Sequence, residues 1–337
     1  LEILFLMLGL RLIKYLSSRK ILNFIKLYFV YLKLKFCVKK HKNIKLPQPS
    51  FLSFEPTNYC NLKCKLCVSG SGKLTRSKGF MDFEMYKNVI DENKKCLINI
   101  LLHLQGEPLL HNQIVEMIAY AKANNIFTEL STNANILPSV FENLKENMPD
   151  KLIVSLDGLT QETYSKYRVN GELQKVFEAL ELLSKLSKDK RPYVELQFLV
   201  FSHNENQIPE LKSLKQKYKI DKISLKTAQI YDESEINILP KNKKYSRYKI
   251  VNGKIVIKSK LKNACKRIVF GSVITWDGKL LPCCFDKDAD FICGDINTSS
   301  VNAVRNSNNY LMFVKNVFLH RQNIEMCKNC TEGLRNE

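Results

Sequence analysis

Past Pro47-Gln-Pro49 the chain settles into a regular alternation that leaves few folds open. Six apolar runs, Phe51–Phe54, Ile98–Leu104, Phe127–Leu130, Leu152–Leu156, Val194–Val200 and Ile223–Lys226, have the length and composition of strands. Helical patterns separate them at residues 82–95, 112–124, 137–147, 172–188 and 206–219, the first with an acidic start at Asp82. Strands joined by helical crossovers must run parallel, because a tight turn can join only antiparallel neighbours. The periodicity predicts an α/β fold but does not separate an open doubly wound sheet from a partial barrel.

Eleven cysteines punctuate this pattern, and seven of them form two groups. Cys60, Cys64 and Cys67 lie in Glu55-Pro-Thr-Asn-Tyr-Cys-Asn-Leu-Lys-Cys-Lys-Leu-Cys67, where the first apolar run passes into a loop. Three thiolates on a four-iron cubane leave one iron open to a ligand, whereas four would close it. A structural zinc site is the alternative, although C-x3-C-x2-C is an unusual zinc spacing. The second group is Cys265, Cys283, Cys327 and Cys330. Trp276-Asp-Gly-Lys reads as a hairpin turn that would bring Cys283 beside Cys265. Four thiolates suffice for one closed cubane or for a zinc ribbon. Cys284 and Cys293 are alternates to these ligands, and Cys37 and Cys96, in helical apolar patterns, are expected to be small buried hydrophobes.

Clustered cysteines in a chain of 337 residues point to metal ligation in a reducing cytosol rather than to a secreted disulfide scaffold. No secretory signal is recognisable, since Glu2 rather than basic residues precedes the apolar run Ile3–Leu10. The sequence begins at Leu1 rather than Met, which leaves a non-standard start codon and a missing beginning both open. The net charge of +20 is concentrated early, with eleven Lys/Arg against Glu2 alone in residues 1–45. Lysines interrupt that stretch before any uncharged run reaches the roughly 18 residues of a membrane span. Two placements stay open for it: docked on the catalytic domain, or lying as a basic amphipathic helix on an anionic membrane surface. The expected location is cytoplasmic, either free or peripheral at the inner membrane surface. A nucleic-acid role is not expected, because the remaining positive charge is scattered and no nucleic-acid motif is visible.

The three-cysteine loop resembles that of the radical S-adenosylmethionine (SAM) superfamily, and further motifs follow in family order. Gln105-Gly-Glu-Pro108 matches the family's Gly-Gly-Glu motif, and Ser131-Thr-Asn-Ala134 looks like the segment lining the SAM nucleoside. Ser155-Leu-Asp-Gly158 ends the fourth strand, and Arg168 stands where the family places the partner of the SAM carboxylate. The residue before the third cysteine is often aromatic in the family and is Leu66 here. Cys265-x12-Gly278-x4-Cys283 matches the opening of the SPASM iron-sulfur extension, in a shortened form like Twitch domains with one auxiliary cluster. The resemblance implies a partial (β/α)6 TIM-like barrel over residues 50–250, a small cysteine-rich α+β domain over 260–333 and an N-terminal helical extension over 1–45. It also implies a SAM-binding 4Fe-4S cluster on Cys60, Cys64 and Cys67, and an auxiliary 4Fe-4S cluster on Cys265, Cys283, Cys327 and Cys330. Gly106, Glu107, Asn133, Ser155 and Arg168 would contact SAM. Asp157 would either belong to this set or cap the following turn.

The implied activity is reductive cleavage of SAM to a 5'-deoxyadenosyl radical that abstracts hydrogen, with an electron from a donor such as flavodoxin or ferredoxin. The leading expectation is an oxidoreductase acting on a small polar or glycan-like substrate. A SPASM-type maturase of ribosomal peptides or proteins is the alternative within enzymes, and a non-catalytic zinc or iron-sulfur protein is the alternative outside them. Substrate candidates at the barrel mouth are Gln197, His203 and Asn204 after the fifth strand, and Lys226, Gln229, Tyr231 and Asp232 after the sixth. His103 is expected near the site without being a ligand, and His111 is expected to help start the next helix.

Overall fold

The structure is a computed structural model and describes residues 11–38, 44–230, 233–252, 254–258 and 261–330. Helix α1 (Ser18–Cys37) precedes the alternating region. There β1 (Phe51–Phe54), α2 (Phe83–Asn93), β2 (Asn99–Leu102), α3 (Ile114–Ala123), β3 (Phe127–Thr132) and α4 (Leu137–Leu144) follow one another. The series continues through β4 (Lys151–Ser155), the short α5 (Gln161–Ser165), α6 (Leu173–Lys185), β5 (Tyr193–Val200), α7 (Leu211–Lys217) and β6 (Lys222–Thr227). β1 to β6 are parallel and lie in chain order, the arrangement of a partial (β/α)6 barrel. Local chemistry sets the boundaries: the Asp82 side chain caps α2 by accepting from the Met85 N–H at 2.8 Å. Amphipathic α6 buries Leu173, Val176, Ala179, Leu180 and Leu183 against the sheet.

The C-terminal region is joined to this sheet through backbone hydrogen bonds. After the hairpin β7 (Tyr248–Val251) and β8 (Lys254–Ile257), helix α8 (Arg267–Phe270) leads into β9 (Gly271–Ile274), which pairs in parallel with the free edge of β1. β10 (Lys279–Leu281) and β11 (Gly294–Asp295) continue antiparallel, giving one nine-stranded sheet. The turn at 275–278 is the expected hairpin turn, with Gly278 at φ +84. α9 (Val301–Arg305), α10 (Asn308–His320) and α11 (Glu325–Lys328) complete the region. The fully buried Arg305 braces it internally, tying α9 to α8 and β9 by donating to the carbonyls of Val269 at 2.6 Å and Gly271 at 2.7 Å.

Inside the barrel, the sheet carries a buried ionic ladder that periodicity does not reveal. Lys151 on β4 reaches Glu129 on β3 at 3.1 Å and Glu195 on β5 at 2.9 Å, and Lys222 on β6 lies 3.5 Å from Glu195.

Helix α1 is docked. Its buried residues Lys20, Asn23, Leu27, Tyr31 and Leu34 form one face, and Asn23 donates to the Gln48 carbonyl at 2.9 Å and to Ser50 Oγ at 3.2 Å. Lys20 donates to the carbonyl of Asn125, just before β3. The helix therefore covers the ends where the strands begin. Cys96 is buried as expected, but Cys37 is exposed, because it falls on the outer face of α1 at its last turn.

Candidate active site

The loop after β1 is built by backbone constraints that gather its cysteines at the C-terminal ends of the strands. Gly106 has φ +74, and a Cβ there would lie 2.5 Å from the Thr57 carbonyl oxygen and 2.6 Å from that of Tyr59. Only glycine permits this approach, through which the Glu107 N–H donates to the Tyr59 carbonyl at 2.8 Å. On the loop's other side a Cβ on Gly70 would meet the Cys64 amide nitrogen at 2.7 Å. Arg76 pairs with buried Glu55, whose Oε2 also accepts from the Trp276 N–H at 3.3 Å, so the loop is tied to the C-terminal hairpin.

Cys60, Cys64 and Cys67 share a cavity of about 310 Å³ with Gly106, Glu107, Asn133, Ser155 and Arg168. All eight of these expected residues are thus brought together from five segments of the chain. Burial pushes the Cys60 thiol up to about 12, so a metal or another strong electrophile would be needed to hold it as thiolate at neutral pH. Glu107 is buried, accepting from Thr132 Oγ1 at 2.8 Å, the Asn133 N–H at 2.8 Å and the Leu109 N–H at 3.1 Å. Burial raises its carboxyl to about 7, against the pull of those donors. Asn133 also donates through its side chain to Asn61 Oδ1 at 2.9 Å.

Asp157 does not serve as a turn cap. Its Oδ2 accepts from Arg168 Nε at 2.6 Å and its Oδ1 from the Leu199 N–H at 2.6 Å. Arg168 Nη1 lies 3.7 Å from Cys64 Sγ, and its guanidinium sits 5.3 Å from the Tyr167 ring centroid. Burial works against the charge on Arg168, but Asp157 and Cys64 raise its pKa well above the ordinary value. A fixed cation beside three thiols suits an anionic cluster and a carboxylate ligand. His103 also lines the cavity, and burial followed by Arg168 lowers its imidazole to about 4, keeping it neutral.

The substrate candidates divide. Gln197 and Lys226 line this cavity, and Gln229 lines an adjoining one. Asn204 is fully buried and structural, its side chain bonded to the Asp157 and Leu199 carbonyls and the Phe201 N–H. His203 lies outside the cavity lining, stacked on Phe201 at 5.2 Å. Tyr231 and Asp232 lie outside the described residues. His111 accepts from the Gln113 N–H at 3.1 Å just ahead of α3, as expected. Gln105 of the Gln-Gly-Glu-Pro motif lines the cavity too, as do Tyr167 and Lys287, which had not been singled out, and Lys287 comes from the C-terminal region.

In that region Cys265, Cys283, Cys327 and Cys330 surround one small apolar cavity with Arg267 and Arg321. Arg321 Nη2 approaches Cys330 Sγ at 3.4 Å, and Arg267 Nη1 approaches Cys284 Sγ at 3.2 Å. Four sulfurs and two guanidinium groups around an apolar space form a donor set suited to an anionic iron-sulfur cluster. Cys284 is turned to Arg267, and Cys293 is turned to the Phe291 carbonyl at 3.5 Å, so neither lines this cavity. A further cavity of about 520 Å³ shares Lys287 with the first and Phe285 and Met326 with the second.

Comparison with known proteins gives this geometry its chemistry. The radical SAM superfamily model matches residues 54–214, and the SPASM iron-sulfur cluster-binding domain matches residues 265–331. Mycofactocin maturase MftC of Mycolicibacterium smegmatis is 29% identical over 174 residues, 51% of this chain and 43% of that protein. GTP 3',8-cyclase of Clostridium botulinum (strain Okra / Type B1) is 25% identical over 174 residues, 51% of this chain and 54% of that one. The chain thus spans about half the length of these curated relatives. Streptococcus suis SuiB bound to SAM shares the fold, with a TM-score of 0.62 and 16% identity over 87% of this chain and 74% of that one. SuiB has also been solved with its precursor peptide SuiA.

Proposed function

From a chain that belongs to the radical SAM superfamily and ends in a SPASM iron-sulfur domain, we infer a maturase that modifies a peptide by hydrogen abstraction. The observation that carries this reading is the likeness to a maturase over 174 residues, joined to a C-terminal SPASM match. The cavity of about 520 Å³ that continues from the cysteine loop towards the second cysteine group supports it, since one small polyol would leave much of that space unfilled.

In this reading Cys60, Cys64 and Cys67 hold the cluster that binds SAM, and Cys265, Cys283, Cys327 and Cys330 hold the auxiliary cluster. SAM on its cluster supplies the 5'-deoxyadenosyl radical for hydrogen abstraction, with the electron drawn from a flavodoxin or ferredoxin. The protein's own contribution is placement. Gly106 lets the backbone approach, Glu107 offers an acceptor to an ammonium, Asn133 lines the nucleoside side, and Ser155 lines the opposite strand end. Asp157 holds Arg168 so that its remaining N–H groups can meet a carboxylate. His103, kept neutral, adds no second charge beside Arg168. Gln197, Lys226, Gln229 and Lys287 stand where a substrate would enter.

The test is anaerobic turnover with SAM and dithionite, offering any short peptides encoded beside the gene and, separately, aminocyclitols and glycans. We expect one peptide to change mass and to raise 5'-deoxyadenosine above the uncoupled level, and a Cys60/Cys64/Cys67 triple Ala variant to give neither. Stimulation by an aminocyclitol or glycan alone would replace the maturase reading with oxidation of a small polar substrate.

A further inference from the structure

Helix α1 carries two apolar stripes, and only one of them is used by the barrel. Ile21, Ile25, Phe29 and Phe36 recur at spacings of four and seven residues on the side opposite Leu27, Tyr31 and Leu34, while Leu32 between them is partly buried against the core. Leu22, Phe29 and Phe36 are 52%, 58% and 72% exposed, and Ile21, Ile25 and Tyr28 are exposed as well. A contiguous stripe of this kind on one helix differs from the scattered apolar residues of an ordinary surface. Arg19, Lys26 and Lys33, seven residues apart, run along one flank of the stripe in solvent, and Lys35 lies on the other. No acidic residue occurs between Arg11 and Val38.

We propose that this outer face of α1 binds an anionic lipid bilayer surface. Apolar side chains would enter the acyl boundary while the flanking basic side chains meet headgroup phosphates. The charge pattern selects this occupant over a second copy of the chain, because two such faces would bring like charges together with no acidic partner on the helix. Among the described residues, no helix is long and apolar enough to cross a membrane, and α1 would lie along the bilayer surface. Geometry also orients the enzyme. The helix covers the beginnings of the strands, through Gln48, Ser50 and Asn125, whereas the cysteine-lined cavity opens at their ends. The mouth therefore faces away from the bilayer and towards water-borne substrate.

Vesicle flotation of the full chain tests this, with phosphatidylcholine alone and with about 30% phosphatidylglycerol added to supply the surface charge. The protein is expected to float with the anionic vesicles and much less with the neutral ones, and salt should weaken the binding. Ile25→Ser/Phe29→Ser should weaken it at least about tenfold, and Lys26→Gln/Lys33→Gln by about the same factor on anionic vesicles only. Phe36→Ser, near the helix end, reads the same face should the double apolar variant fail to fold. Sedimentation velocity is run in parallel. Failure of the parent protein to float, equal flotation of the folded variants, or a dimer that Phe29→Ser converts to monomer would each overturn the proposal.

Discussion

Glu107 accepts three hydrogen bonds inside the fold and is still pushed up to about 7, because burial outweighs those donors. An ordinary glutamate titrates near 4.5, so between 4.5 and 7 the unfolded chain gives up a proton that the folded chain keeps. Stability from this group is therefore full below about 4.5 and is lost as pH rises through about 7. In SAM-free protein, the melting temperature relative to Glu107→Gln should fall between pH 5 and pH 8. A difference that stays constant over that range would show that the Glu107 carboxyl is not perturbed. Arg168 and Asp157 illustrate a different constraint at the same scale. The 2.6 Å pairing fixes a cation within reach of Cys64, and a lysine lacks the planar fork needed to keep Asp157 while meeting a second carboxylate.

Among the elements, the sheet strands do more than carry loops. Lys151 on β4 stands between Glu129 and Glu195 on the flanking strands, and all three are buried. Removing the cation takes away the one charge the two carboxylates share, leaving Glu129 with the Asn99 amide and Glu195 with Ser224 and the more distant Lys222. Lys151→Met is expected to cost about 3–5 kcal/mol in chemical denaturation. Adding Glu129→Gln and Glu195→Gln should restore much of that, since the buried like charges would then be gone. A Lys151→Met protein as stable as the parent would mean that the ladder is solvated in solution. Helix α1 belongs to the same scale: it closes the beginnings of the strands with one face and presents a second apolar face outward.

At the scale of the whole molecule, β9 makes the cysteine-rich region a continuation of the barrel sheet, and Arg305 ties α9 to the start of that strand. The two cysteine groups remain chemically separate, in different cavities. With the proposed ligands, reconstituted protein should contain about eight irons and about eight sulfides per chain. Cys327→Ala should lower the iron towards about four, the content of one remaining cubane, while uncoupled SAM cleavage persists. The variant should also melt earlier, because a ligand to the C-terminal cluster is lost. A folded Cys327→Ala protein with its first cluster intact but no SAM cleavage would overturn the separation of roles.

The sequence alone determined the six parallel strands, the cysteine loop and the order of the motifs that resemble the family's SAM-contacting ones, because each is written in neighbouring residues. Alternating apolar runs report local periodicity, and Cys60, Cys64 and Cys67 lie within one eight-residue stretch. The grouping of Cys265, Cys283, Cys327 and Cys330 was legible from a hairpin turn and a C-x2-C pair, but only the packing turned the alternates Cys284 and Cys293 away from that cavity. What depended on distant contacts was not legible. Asp157 is a partner of Arg168 instead of a cap, Asn204 is a structural brace, and Lys287 enters the first cavity from the C-terminal region, far along the chain from the cysteine loop. Spacing along the chain does not encode such pairings, because they arise only when separate strand ends converge. The same holds for α1, whose two apolar faces look alike in sequence. Only packing against the barrel decided which face is buried and left the other, with its lysines, in solvent.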